Sequence, residues 1–394
     1  MNPSHDAPAT DTYDIAIIGG GIHGVGVAQA AAAAGYSAVL LEQTALAAGT
    51  SSRSSKLIHG GLRYLESRQI HLVRESLHER NTLLRVAPGL VRATRFYIPI
   101  YNDTTRRPWL IRLGLSLYAI LAGFHHRSLF RRLHKPQWTE LDGLRTQGLQ
   151  TVFRYWDAQT DDARLTQAVM QSALSLGATL LCPAGFTRAV YENDRYRVNY
   201  EMDGEPASLY CRALVNAAGP WANEVLGRVS PATSTRAIDL VQGAHIVIEG
   251  ETRQGVYYLE APADRRAVFV MPWYGDTMIG TTETLYRGDP AKVEALDEEV
   301  DYLLATFRHY FPHRQTNIID RFAGLRVLPH ATGAAFSRPR DTILHTDAQT
   351  PGLVTIYGGK LTGYRATAEK LMRELEPRLG RRRRVADTRK LLLG

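Results

Sequence analysis

This sequence of 394 residues predicts an α/β fold in which a Rossmann-type nucleotide-binding domain is interleaved with an antiparallel-sheet domain. Three observations carry that prediction. A strand, a glycine turn and a helix succeed one another near the N-terminus, and the same succession recurs near the C-terminus. Between them lies a long block of short apolar segments of strand type. With 44% hydrophobic and 22% charged residues the composition is that of a globular chain, and the length suits two domains at roughly 100 to 200 residues each.

Residues 1–12 are polar with no apolar core of a signal peptide, so they read as a short disordered lead. Residues 13–18 form a strand that runs into Gly19-Gly20-Gly21. Residues 24–34 are small and mostly Ala, a good helix former, and Gly35 stands where a C-terminal cap belongs. A second strand, 38–41, ends at Glu42. This βαβ unit implies a parallel sheet with a right-handed crossover. After a polar loop, 50–56, the stretch 69–86 has helical spacing in Leu72, Val73, Leu77, Leu83 and Leu84. The longest apolar stretch, 113–124, is well under the roughly 18 residues that span a bilayer. Asp161-Asp162 precede a helix through Leu176, closed by Gly177 before a strand at 178–182.

Residues 213–217 are a continuous apolar run ending in Ala218-Gly219-Pro220, and 243–280 holds four strand-type segments. Residues 353–357 are a strand, Gly358-Gly359-Lys360 a turn, and 361–375 a helix. The expected nucleotide-binding domain is therefore discontinuous, 13–90, 150–240 and 335–380. A second domain comprises 91–149 and 241–334, and residues 381–394 make a basic tail.

Lys plus Arg outnumber Asp plus Glu by 47 to 39, a net charge of +8 that attracts anions. Cys182 and Cys211 are the only cysteines and form no CxxC, which excludes a zinc ribbon or disulfide scaffold; no metal is expected, and a reducing, cytoplasmic compartment fits. The run Arg381 to Arg384 has no helix-turn-helix, zinc finger or aromatic interleaving beside it. It reads as a solvated tail, and no nucleic-acid partner is expected.

Gly19, Gly21 and Gly24 fit GxGxxG, in which the first glycine turns the chain, the second admits a pyrophosphate and the third lets helix and strand pack. The helix N-terminus offers free N–H groups to the anion. Eighteen residues after Gly24 comes Glu42, placed to accept from ribose hydroxyls, and an acid there argues against NADP.

The stretches GGGIHGVGVA (19–28), TSSRSSKLIHGGLRYLE (50–66), VNAAGPWA (215–222), QGAHIVI (242–248), GLRVLP (324–329) and YGGKLTGYR (357–365) occur in order along nearly the whole chain. With them the sequence resembles the FAD-dependent glycerol-3-phosphate dehydrogenase family, within the D-amino-acid oxidase-like flavoproteins. The resemblance implies FAD as cofactor. It assigns Thr50, Ser51, Ser55, Lys56, Leu57 and His59 to the flavin and pyrophosphate, together with Ala218 and Gly219. It also assigns Gly359, Lys360, Leu361 and Thr362, where the helix dipole would face the pyrimidine edge of the flavin and favour negative charge.

Oxidising a secondary alcohol by hydride transfer to flavin N5 needs the carbon held over the ring, a base for the hydroxyl proton, and cations for any substrate anion. The resemblance points to Arg63, Arg326, Arg340 and Lys360 as anion and hydroxyl contacts, and arginine suits a phosphate because its planar fork bonds two oxygens. It places His245 near the hydroxyl. His245 and His59 are both candidate proton acceptors, and Arg326 is a candidate for polarising the hydroxyl.

The implied reaction is oxidation of sn-glycerol 3-phosphate, or a similar small phosphorylated or phosphonate alcohol, with electrons passed to quinone. Two alternatives use the same fold: an oxygen-dependent oxidase of a small hydroxy or amino acid, and a non-catalytic FAD-binding subunit. The chain departs from the family in three respects. It stops at Gly394, where members usually continue into a helical C-terminal domain, so that domain is expected to be missing. Glu283 stands where Asp is common, and Val327 where Pro is common. The segment 106–135 sets Trp109, Leu110, Ile111 and the apolar run 113–124 among Arg106, Arg107, Arg127, Arg131, Arg132 and Lys135, and two readings stay open: peripheral contact with an anionic membrane surface, or a helix packed over the second domain. The oligomeric state is open.

Overall fold

The computed structural model describes residues 12–65, 69–123, 128–330 and 342–394, and of Arg63 only the backbone. The chain begins with β1 (Thr12–Ile18), α1 (Ile22–Ala33) and β2 (Ala38–Leu41). It continues through β3 (Leu57–Ile58), α2 (Ile70–Val86), β4 (Val91–Tyr101), α3 (Pro108–Leu121), β5 (Arg131–Arg132) and β6 (Leu149–Thr160). Next come α4 (Asp162–Ser175), β7 (Thr179–Leu181) and the meander β8 (Gly185–Glu192), β9 (Arg195–Met202), β10 (Glu205–Asn216). After α5 (Ala222–Leu226) and β11 (Val229–Ser230) follow β12 (Ile238–Ile248), β13 (Val256–Glu260), β14 (Ala267–Trp273), β15 (Asp276–Gly280) and β16 (Thr284–Tyr286). The series ends with α6 (Asp297–Tyr310), β17 (Ile318–Pro329), β18 (Ile343–Thr346), β19 (Leu353–Tyr357) and α7 (Tyr364–Leu379).

Two sheets divide these strands. The first has a parallel centre, β7-β2-β1-β10-β19, assembled from the N-terminal, middle and C-terminal segments as the motifs predict. Its inner positions, Ile15, Ile17, Leu40 and Val215, are buried with α1, α4 and α7 over them. The run of Ala in α1 lets it lie almost wholly buried in this layer. Gly24 makes the turn before it possible, since a Cβ there would collide with the Gly19 carbonyl. Past the helix, Gly35 takes φ +88°, the left-handed conformation a C-terminal cap requires. The second sheet is built around the long β12–β17 and β4–β6 pairs.

The structure corrects several boundaries. Residues 150–160, expected in the nucleotide-binding domain, belong to β6 in the second sheet, and β12 enters that sheet from Ile238. The second sheet is not purely antiparallel, because β13 runs parallel to β4. The lead lies outside the described residues up to position 11, while Thr12 already pairs with Tyr210. Residues 381–394 are no free tail. Val385 and Ala386 donate backbone N–H groups to the Ala33 carbonyl, Arg382 meets Asp14 at 2.8 Å, and Leu393 is buried. Arg365 of α7 clamps Glu79 of α2 and also donates to Thr388, so the segment seals the helical layer. Of the run, Arg382 donates to the Gly35 carbonyl and to Asp14, and Arg384 to Glu369, contacts that a composition-based view of a charge run cannot foresee.

Candidate active site

A cavity of about 540 Å³ opens at the carboxyl ends of β1, β10 and β19, where ligands bind in open α/β sheets. Gly19 to Gly21, Ala218, Gly219 and Gly359 line it, as do Glu42 and Leu57. Gly19 has φ +107°, and a Cβ on it would lie 2.7 Å from the Ala217 carbonyl, so no side chain fits between the turn and β10. Glu42 holds this turn: Oε2 accepts from the Gly20 N–H at 2.7 Å and Oε1 from the Thr44 N–H at 2.9 Å. The carboxylate is thereby fixed at the cavity wall with acceptor capacity left for ribose hydroxyls. Gly24 does not line the cavity and serves helix packing.

The loop after β2 is tied down by its own polar side chains. Ser51 Oγ accepts from the Ile22 N–H at 2.9 Å, and Thr50 Oγ1 donates to the Leu325 carbonyl at 2.9 Å. Lys56 departs from its expected role. Its ammonium turns inward to Asp162 Oδ1 at 2.6 Å and the Ser52 carbonyl, and it is buried away from the cavity. An ammonium taken out of water needs such a carboxylate, and Asp162, at the start of α4, supplies it.

His23 packs against Gly359, whose φ of +113° and lack of Cβ make room for the ring. Burial lowers the His23 pKa to about 4, so the imidazole is neutral at ordinary pH, and its Nδ1 is sealed without a hydrogen bond among the described residues. Thr362 lines the same region, with Oγ1 accepting from the His59 N–H at 3.2 Å.

The second sheet delivers the remaining groups. In the β12–β17 pair His245 lies opposite Phe322, Gly243 opposite Gly324 and Val241 opposite Arg326. Opposed residues share a face, so His245 and Arg326 look the same way across a pair of glycines. Arg326 is braced by Glu283 Oε1 and Thr281 Oγ1, each at 3.1 Å. His245 stacks on Phe322 with centroids 5.0 Å apart, and its Nε2 is 2.9 Å from Ser55 Oγ. A side chain at Gly280 would collide with the ring. Burial, with the charges of Arg326 and Lys56, lowers the His245 pKa to about 3, so the ring is neutral and aimed at a hydroxyl. Lys360 Nζ lies 4.0 Å from the centre of the Tyr64 ring.

A smaller chamber of about 120 Å³ adjoins the main cavity, sharing Ser55, His59, Tyr64 and Arg326 with it. Thus His245, Arg326, Lys360, Ser55 and His59 converge on the cavity that the glycine turn forms. Arg63 sits in the 3-10 turn Leu62–Leu65 with its side chain outside the described residues, and Arg340 lies outside them entirely. Sequence reasoning missed Tyr64, Thr281 and Trp221 as lining residues and placed Glu283 only at the border of the site, as a change from the usual Asp. Tyr64 was within reach as the neighbour of Arg63, whereas Thr281 and Glu283 depend on β-pairing across the second sheet.

A parallel sheet with a glycine cradle, joined by a second sheet that brings a neutral histidine and cations to the same cavity, defines a dinucleotide-dependent oxidoreductase. Residues 14–365 match the family model described as FAD dependent oxidoreductase, and the chain belongs to that family. It is 39% identical to a glycerol-3-phosphate dehydrogenase of Pseudomonas aeruginosa, covering 96% of this chain and 74% of that protein. It is 38% identical to a D-erythritol 1-phosphate dehydrogenase of Brucella abortus, covering 94% of this chain and 75% of that protein. Among solved structures, the FAD-complexed glycerol-3-phosphate dehydrogenase of Bacillus halodurans superposes with a TM-score of 0.77 at 28% identity, covering 97% of this chain and 68% of that one.

The chain is thus an FAD-dependent enzyme, and its cavity suits the cofactor. The side-chain-free cradle at Gly19 and Gly21 fits the pyrophosphate, Glu42 the ribose, and the Gly358–Gly359 turn the flavin end.

Proposed function

We propose that this chain oxidises sn-glycerol 3-phosphate, or a closely similar small phosphorylated or phosphonate alcohol, to the ketone and passes the electrons to quinone. The observation that carries this reading is the convergence of Arg326, Lys360 and neutral His245 on the FAD cavity. Bound FAD supplies the hydride acceptor.

The chain's own residues bind and orient the alcohol and move its proton. Lys360, with Arg63 and Arg340, holds the phosphoryl dianion. Arg326 cannot swing freely, because Glu283 and Thr281 brace it, so it presents a fixed donor to the reacting hydroxyl and stabilises the oxyanion as the proton leaves. The proton passes to His245 Nε2 by way of Ser55 Oγ, 2.9 Å away. Protonating a ring flanked by Arg326 and Lys56 is costly alone, and the substrate's dianion offsets that field.

Helix α3 supports delivery to a membrane-borne acceptor. Ile111, Leu115 and Tyr118 face the core, while Trp109, Leu113 and Ile120 are exposed beside Arg107 and Arg112. Among the described residues no helix is long and apolar enough to cross a membrane, so the contact proposed is peripheral. Steady-state oxidation of sn-glycerol 3-phosphate tests the reading, with long-chain quinone in anionic vesicles compared against oxygen in buffer. Faster turnover with the vesicles is expected. Equal or faster turnover with oxygen would make the protein an oxidase instead.

A further inference from the structure

The side chamber has a composition unlike that of a phosphate pocket. Phe96, Tyr155, Tyr258 and Phe269 wall it, and Tyr258 and Phe269 meet edge-on at 5.2 Å. Among the described side chains, both arginines at its lining are already matched by carboxylates, Arg326 by Glu283 and Arg266 by Asp264 at 2.6 Å. A dianion gains little from cations so neutralised. The Glu283 carboxylate, with Thr281 Oγ1 and Ser55 Oγ, accepts hydrogen bonds well, and hydroxyl groups are their natural donors. Aromatic walls with a few convergent polar groups suit a small organic fragment whose C–H edges lie against the rings. At ~30 Å³ for each water-sized group, a void of about 120 Å³ admits roughly four heavy atoms beyond those held in the main cavity.

We propose that this chamber takes additional hydroxyl-bearing carbons, so the preferred substrate is a phosphorylated polyol of four or five carbons rather than the three of glycerol 3-phosphate. The inference rests on the oxidation of a phosphorylated alcohol proposed above and specifies its chain length. The phosphoryl group sits on the Lys360 side, the reacting hydroxyl at Arg326, and the distal hydroxyls extend past Ser55 and Tyr64, which line both spaces.

The test uses the FAD-loaded protein and compares kcat/KM for sn-glycerol 3-phosphate, a tetritol phosphate and a pentitol phosphate. At least a tenfold advantage for one of the longer polyols is expected, the discrimination that one or two well-placed carbons give. Ala267, a small residue in the chamber wall, provides the second arm. Filling the void by Ala267→Leu, in protein with an unchanged flavin spectrum, should lower the ratio of long-chain to three-carbon kcat/KM by about tenfold. A preference for glycerol 3-phosphate in the wild type, or an unaltered ratio in the variant, overturns the inference while leaving the parent reading intact. No turnover of any of the three compounds overturns both.

Discussion

Arg326 shows how one residue's role depends on its bracing. Its guanidinium bonds Glu283 and Thr281, and Gly243 leaves it space, since a Cβ there would lie 2.7 Å from Nη2. If a donor fixed in this way serves the reacting hydroxyl, as proposed, Arg326→Ala should act mainly on kcat. Lys360→Ala should act mainly on KM, and only for phosphorylated substrates. Each change removes a charge-assisted contact of about 1.5 to 3 kcal/mol, roughly ten- to a hundredfold in kcat/KM. Arg326→Lys should recover only part of the loss, because an ammonium cannot reproduce the planar fork. Steady-state kinetics of variants with normal flavin spectra check this, and near wild-type values in both alanine variants would place the substrate elsewhere. Motif position singled out Arg326 and Lys360 in the sequence, and the fold brings both to one cavity. Motif position misled at Lys56, since its partner Asp162 is remote in sequence and only the fold brings the two together.

At the scale of elements, the loop from Thr50 to Ile58 depends on the first residue of α4. Asp162 is fully buried, takes the Lys56 ammonium, and accepts the Ser54 N–H at 2.9 Å. Removing one member of such a pair leaves a buried charge without its counterion, at a cost of about 3 to 5 kcal/mol. Asp162→Asn should therefore lower the urea midpoint of unfolding and weaken FAD retention, measured as flavin released on gel filtration. Unchanged stability with full FAD would mean that the loop holds its shape without the pair. Helices α1 and α4 and the parallel centre were legible because α1 carries an Ala run between glycines and α4 begins at an Asp pair, whereas α5 and α6 were not foreseen. The assignment of β6 was not legible, because an isolated strand does not reveal which of two sheets it joins. Nor does sequence pattern announce the parallel pairing of β4 with β13.

On the scale of the molecule, the first sheet carries the glycine cradle and the second sheet brings His245 and Arg326 to the same cavity, so the proposed chemistry needs both. The order of motifs along the chain conveyed this interleaving, whereas the docking of residues 381–394 against α1 and α2 depends on contacts that become visible only in three dimensions. The central claim is that this assembly oxidises a phosphorylated alcohol. Anaerobic titration of the FAD-loaded protein, followed by flavin absorbance near its visible maximum, tests it most directly, with phosphorylated polyols set against hydroxy acids and amino acids. The account predicts that a phosphorylated polyol bleaches the flavin while carboxylate and amino compounds leave it yellow. Bleaching by an amino or hydroxy acid alone, or by none of the compounds, would contradict it.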